Sequence, residues 1–144
     1  ETLSMFSTGI TVVCVKKNNS IYGKTVNSFN SLSLSPPMVL FSLGNYSSSI
    51  MQFSKTKFLS INILSSKQKK LSDNFASTTP KLENIKFLKG KNKTVIIPNC
   101  IANLECKLID KIKKGDHIIF ICKILELQSN DKLKPLVYFN SKYF

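Results

Sequence analysis

The residues able to do chemistry crowd into one block, Tyr22-Gly-Lys-Thr-Val-Asn-Ser-Phe-Asn-Ser-Leu-Ser-Leu-Ser-Pro-Pro-Met-Val-Leu-Phe41. Small hydroxyl and amide side chains fill a strand that runs into a Pro-Pro stop, and an apolar strand follows. The block contains no acid. Lys24, Thr25, Asn27 and Ser28 therefore offer donors that suit an anionic, ring-bearing ligand. The same Asn27 and Ser28 also fit ordinary turn or edge-strand polarity.

A second group is Ser47, Ser48 and Ser49, at the start of a helical pattern over Tyr46–Lys55. Free N–H groups and the positive end of the helix dipole seat a phosphate at such a start. Helix capping by Ser47 alone is the plainer reading, and the two are compatible. His117, the one histidine, follows Gly115-Asp116. Its neutral ring suits a hydrogen bond to an amide or a phosphate, or a purely structural bond at a strand start. No metal is expected. Cys14, Cys100, Cys106 and Cys122 form no C-x-x-C pair, and one histidine is too few to complete a zinc set. Small buried thiols in a reducing cytoplasm are the simpler expectation.

The elements that must position these residues are mostly strands. Thr8–Val15 is a β-branched run ending in the turn Lys16–Ser20. Ile21–Leu34 reads as one strand with a bend or bulge near Gly23, and Met38–Leu43 as a buried strand. Phe58–Leu64 alternates. Ser65-x-x-Gln68 fits a capping box opening a helix through Phe75, with Leu71 and Phe75 on one face. Residues 77–93 are polar and lysine-rich, and predict a mobile loop with a short helical piece at its start. Thr94–Ile97, Ile101–Ile112, His117–Gln128 and Pro135–Phe139 add four strands, the long two joined at Lys113–Asp116. The fold class is mainly β, a closed or half-closed barrel with accessory helices.

The 144 residues predict a single domain, 1–144. No apolar run reaches the roughly 20 residues of a membrane span, and no basic-then-apolar leader opens the chain. A cytoplasmic protein without membrane contact is expected. Net charge is +13, and all 21 basic residues are lysine. That charge invites a nucleic-acid reading. The absence of arginine forks and of an aromatic–basic stripe argues against it. A basic surface also attracts small anions.

Seven pieces in order resemble the flavin reductase family, the FMN-binding split barrels. Phe6-Ser-Thr-Gly-Ile-Thr-Val-Val13 resembles its opening strand. Thr25–Pro37 resembles T-x-N-S-F-x-S-x-S-x-x-P-P, and Phe58–Leu64 resembles F-x-V-N-V-L. Gln68–Phe75 resembles Q-x-x-x-S-x-x-F, and Leu104-Glu-Cys106 resembles L-x-C. Gly115-Asp-His117 and Pro135-Leu-Val-Tyr138 resemble the family's G-D-H turn and closing strand.

The resemblance implies a Greek-key-like split barrel that forms a homodimer. It implies hydride transfer from NADH or NADPH to bound FMN, with FAD possible. In many members the reduced flavin passes to a partner monooxygenase. A flavin-binding or storage protein without reductase activity is the alternative. Implied flavin contacts are Tyr22, Gly23, Lys24, Thr25, Asn27, Ser28, Ser42, Leu43, Ser47, Ser48, Ser49, Asn74 and Phe75. Phe75 is equally readable as a core residue. His117, Phe139 and Tyr143 are the implied nicotinamide contacts. No residue is expected to act as nucleophile or acid–base catalyst, because the cofactor carries the chemistry. The chain departs from the family pattern in two places. Cys122 stands where glycine is common after G-D-H. Neither Tyr46–Ile50 nor Asn74 supplies the basic residue often found there, which leaves phosphate to hydroxyls and backbone N–H groups.

Overall fold

A computed structural model describes residues 1–144. After a 3-10 turn (Thr2–Met5) come β1 (Thr8–Gly9), β2 (Thr11–Lys17), β3 (Ser20–Val26), β4 (Asn30–Leu34) and β5 (Pro37–Gly44). Then follow α1 (Ile50–Lys55), β6 (Phe58–Ile63), α2 (Lys69–Ala76), β7 (Leu88–Lys89) and β8 (Val95–Ile96). The chain ends in β9 (Ala102–Lys114), β10 (His117–Ser129), β11 (Val137–Phe139) and β12 (Lys142–Tyr143).

Seven antiparallel strands form the main sheet in the order β3-β2-β6-β9-β10-β5-β4. The chain crosses from β5 over α1 to β6, so the β9–β10 hairpin separates those two strands. The sheet wraps around its own side chains. One core cluster joins Val13 and Val15 of β2, Val26 of β3, Phe41 of β5, Leu59 and Ile61 of β6, Cys106 of β9 and Phe120 and Cys122 of β10. Phe53 of α1 plugs this core and meets Phe41 and Phe120 edge-on. The result is the mainly β barrel with accessory helices that the strand pattern predicts.

A second cluster lies on the opposite face of β2, where Val12 and Cys14 meet Leu64, Phe75, Val95, Ile97 and Leu136. Because successive strand residues point to opposite faces, β2 is buried on both. Its continuous apolar run follows from that. β6 is covered in the same way. Its polar alternates Ser60 and Asn62 are fully buried rather than solvated. Asn62 Nδ2 donates to Val12 O (3.0 Å) and Ser60 Oγ (3.1 Å). Its Oδ1 accepts from Ile97 N (3.1 Å) and Asn103 Nδ2 (2.8 Å).

Several expectations change. Ile21–Leu34 is not one strand: it breaks after Val26 into β3 and β4, which lie at opposite ends of the sheet order. Gly23 carries no bulge, since β2 and β3 pair without a register shift. A Cβ on Gly23 would lie 2.5 Å from Phe75 Cε1, so packing accounts for the glycine. Thr8–Val15 is interrupted at Ile10, whose carbonyl takes Leu64 N–H instead. The helix expected from Tyr46 begins at Ile50, behind a turn closed by Ser47 N to Gly44 O. Half of the capping box forms: Ser65 N donates to Gln68 Oε1 (2.9 Å), while α2 has no side-chain cap bond at its N-terminus.

Residues 77–87 hold no helical piece. They are tied down rather than loose, because the Asn74 amide donates to Lys81 O and accepts from Lys81 N. Leu82, Ile85 and Phe87 pack on the second core. The two-residue strands β7 and β12 hold one apolar residue each, too brief for a periodic signal, whereas β11 falls inside the strand expected over Pro135–Phe139. Gly115 turns β9 into β10 at φ 58, in the left-handed region that a tight hairpin requires.

Candidate functional site

The break between β3 and β4 builds the site. As the chain leaves β3, Ser28 Oγ accepts Ser42 N–H (2.9 Å) and donates to Ser42 O (3.1 Å). This two-way clasp draws the end of β3 against β5. Beside it opens a cleft of about 380 Å³, within the ~300–1,000 Å³ typical of small-molecule sites. β3 and its exit supply Lys24, Thr25, Asn27 and Ser28. β5 and the turn after it supply Ser42, Leu43, Ser47 and Ser48, and the start of β10 supplies His117. Those nine come from the sequence-based set.

Five wall residues escaped sequence reasoning: Val26, Gly44, Tyr46, Ala76 and Thr78. Thr78 reaches the cleft because Ser48 Oγ donates to its carbonyl (3.3 Å), and Asn74 anchors the loop just beyond it. No local pattern signals that. Tyr46 was legible only as the neighbour of Ser47. It lies across Gly44, where a Cβ would meet its ring at 2.6 Å, and stands edge-on to His117 at 6.5 Å between centroids.

The remaining expected residues lie elsewhere. Gly23 is sealed under Phe75, and Phe75 is wholly buried in the second core. The helical face shared by Leu71 and Phe75 therefore serves packing. Tyr22 packs against the barrel core. Ser49 takes the N-cap position of α1 without a side-chain bond, and Asn74 holds the loop. Tyr143 hydrogen-bonds Ser72 Oγ (2.8 Å) and packs on the second core, while Phe139 meets Phe144. None of these lines the cleft.

The cleft has no carboxylate in its wall. Asp116 stands just outside, 2.8 Å from His117 Nδ1. The hydrogen bond from His117, followed by its charge, holds the Asp116 carboxyl below the usual range. Partial burial lowers the Lys24 ammonium from its ordinary value, and no carboxylate pairs with it. Thr25 donates to Ser72 O (2.6 Å), which pins β3 to α2. The Ser47 hydroxyl is buried and has no hydrogen-bond partner within the chain. A buried orphan donor costs about 1–3 kcal/mol, and a ligand in the cleft would satisfy it. An acid-free wall, an unpaired ammonium and an orphan hydroxyl fit an anionic flavin nucleotide.

This fold and this cleft define a mainly β barrel protein with an acid-free cleft whose donors suit a small anionic ligand. The chain belongs to the flavin reductase family, matching the flavin reductase like domain over residues 3–144. It is 33% identical over 129 residues to an FMN reductase (NADH) of Agrobacterium fabrum, covering 90% of this chain and 74% of that protein. It is 30% identical over 143 residues to the reductase component of a Thermus thermophilus 4-hydroxyphenylacetate 3-monooxygenase, covering 99% and 91%. The NADH:FAD oxidoreductase of Streptomyces globisporus superposes with a TM-score of 0.94 at 26% identity, over 99% of this chain and 87% of that one.

Proposed function

We propose that this protein is an NAD(P)H:flavin oxidoreductase with FMN as its flavin. The observation that carries the reading is the acid-free cleft, in which donors from the exit of β3 meet the orphan Ser47 hydroxyl in a chain of this family. Lys24, Asn27 and the clasped Ser28–Ser42 segment would hold the ring edge. Ser47, Ser48 and the backbone of the turn before α1 would hold the phosphate. Bound flavin supplies the redox chemistry. The protein supplies position and a fixed electrostatic field, so the reading asks for no nucleophile. FAD is the alternative flavin, as the Streptomyces oxidoreductase is named for it. NADH is the donor to try first, because the Agrobacterium and Streptomyces relatives are named for it.

The Thermus relative supports a partner monooxygenase as the recipient of reduced flavin. A homodimer is proposed on the apolar side chains of the edge strand β4, where Leu34 is 94% exposed and Leu32 46%. A second copy covering them would remove apolar surface from water. No helix is long and apolar enough to cross a membrane, and the four cysteines are free and buried. Both facts suit the proposed cytoplasmic location. The test is an anaerobic visible spectrum of the protein with FMN, before and after NADH and then NADPH. Bleaching with either donor at a catalytic rate supports the reductase. A bound flavin band that neither donor bleaches leaves a flavin-binding protein and ends the reductase reading.

A further inference from the structure

Lys24 is the one lysine that lines the cleft. It sits on β3 opposite Val13 of β2, between the sealed Gly23 and the tethered Thr25. No carboxylate shares the cleft wall, and Lys24 makes no ion pair. Tyr46 and His117 also line the cleft, and the His117 ring already faces the Asp116 carboxylate at 2.8 Å. Any positive charge on that ring is offset on the spot. The charge on Lys24 is not.

The Thr25 hydroxyl is committed to Ser72 O, that of Ser28 to Ser42 O, and that of Ser48 to Thr78 O. The side chains of Asn27, Ser42, Ser47 and Thr78 make no hydrogen bond within the chain, but they carry no charge. Neutral donors bind two ligand forms of different charge nearly alike. A partly desolvated cation does not, because its Coulomb attraction is weakly screened. The oxidised flavin ring is neutral, whereas the two-electron-reduced ring is largely anionic near neutral pH.

Building on the flavin reading above, we infer that Lys24 sets the redox preference of the site. Its ammonium makes the cleft hold the reduced, anionic ring more tightly than the oxidised, neutral one. By linkage, flavin in the cleft is then easier to reduce than flavin in water. The phosphate is the same in both redox forms. A cation serving only that group would raise affinity for both equally, and this separates the two roles.

The experiment uses the whole protein, Lys24→Met (which keeps the stem and removes the charge) and Lys24→Arg (which keeps the charge). Dissociation constants are measured anaerobically for oxidised FMN and for FMN reduced with dithionite, alone and with inorganic phosphate as competitor. Wild type is expected to favour the reduced form by about tenfold, inside the usual span of coupling between two events. Lys24→Met is expected to bring that ratio close to one while phosphate competes as before. Lys24→Arg is expected to keep it. Equal weakening of both forms in Lys24→Met, or loss of phosphate competition, would overturn the inference and assign Lys24 to the phosphate. A wild-type ratio near one would overturn it without any variant. Failure of wild type to bind FMN in either form would instead remove the flavin reading itself, and the inference with it.

Discussion

Gly23 on β3 and Phe75 on α2 compete for one volume: a Cβ built on Gly23 would lie 2.5 Å from Phe75 Cε1 and 2.6 Å from Cδ1. Phe75 is fully buried and cannot swing away into solvent. Gly23→Ala is therefore expected to cost about 1–3 kcal/mol as overpacking, read from a urea midpoint. Phe75→Leu in the same chain should restore part of that loss. If Gly23→Ala proves as stable as wild type, the ring does not seal β3 as described.

The Ser28–Ser42 clasp holds one wall of the cleft. Ser28→Ala removes both bonds and leaves Ser42 N and O facing a methyl group. A loss of about 1–3 kcal/mol is expected. FMN affinity should fall as well, because Asn27 and Ser28 shift together. Ser28→Thr keeps the hydroxyl and should retain binding. Equilibrium unfolding and flavin titration on the same preparations check both effects.

β2, β5 and β6 were legible in the sequence because burial on one or both faces leaves a periodic or continuous apolar record. The break after Val26 was not, since residues 21–34 look like one polar-faced strand. What breaks it is Ser42, 14 residues from Ser28 along the chain. Lys24, Thr25, Asn27 and Ser28 could be grouped from their density and lack of acid, and the structure brings them to one cleft wall. Phe75 and Tyr143 could not be placed, because a buried aromatic has the same local pattern whether it faces a ligand or a core. Thr78 enters through the Asn74–Lys81 tie, which no short-range pattern encodes.

Besides a long contact to Cys14 Sγ (3.9 Å), fully buried Asn62 makes four hydrogen bonds, to Val12 O, Ser60 Oγ, Ile97 N and Asn103 Nδ2. Asn62→Leu has a similar volume and removes all four bonds, leaving Val12 O and Ile97 N without their side-chain partner, while Ser60 Oγ and Asn103 Nδ2 keep Val95 O and Ile97 O. At ~1–3 kcal/mol for each buried group left unpaired, the two together are expected to cost about 2–6 kcal/mol. Asn62→Asp should cost less than Asn62→Leu, since it still accepts from Ile97 and Asn103. Reversal of that order in denaturant melts would contradict the network.

Glu105 predicts an acid limb in stability. Burial pushes its carboxyl up, but hydrogen bonds from Thr94 Oγ1 (2.6 Å), Asn92 N (2.9 Å) and the Lys91 backbone outweigh burial and hold it below 4.5. A carboxyl with a depressed folded value binds fewer protons folded than unfolded. Its stabilisation is thus complete above the unfolded value, near 4.5, and is lost as pH falls through the lower folded value. Glu105→Gln is expected to flatten the decline of the thermal midpoint below pH 4.5. An unchanged slope would assign the acid limb to other carboxylates.

The four thiols should be silent in the native state. Burial pushes Cys122 up to about 12 and Cys100 up to about 11. Cys14 and Cys106 are also raised, by burial first and by a neighbouring thiol second. Only the thiolate reacts with alkylating agents, and at pH 8 a group titrating near 11 is about one part in a thousand ionised. None of the four lines the cleft. Native protein in iodoacetamide at pH 8 is expected to gain no mass within an hour and to keep full flavin affinity. The same treatment in guanidinium should add four adducts, matching the four free cysteines. A native adduct that lowers FMN binding would place a reactive thiol beside the cleft, where the structure has only hydroxyls, amides, Lys24 and His117 as polar side chains besides Tyr46.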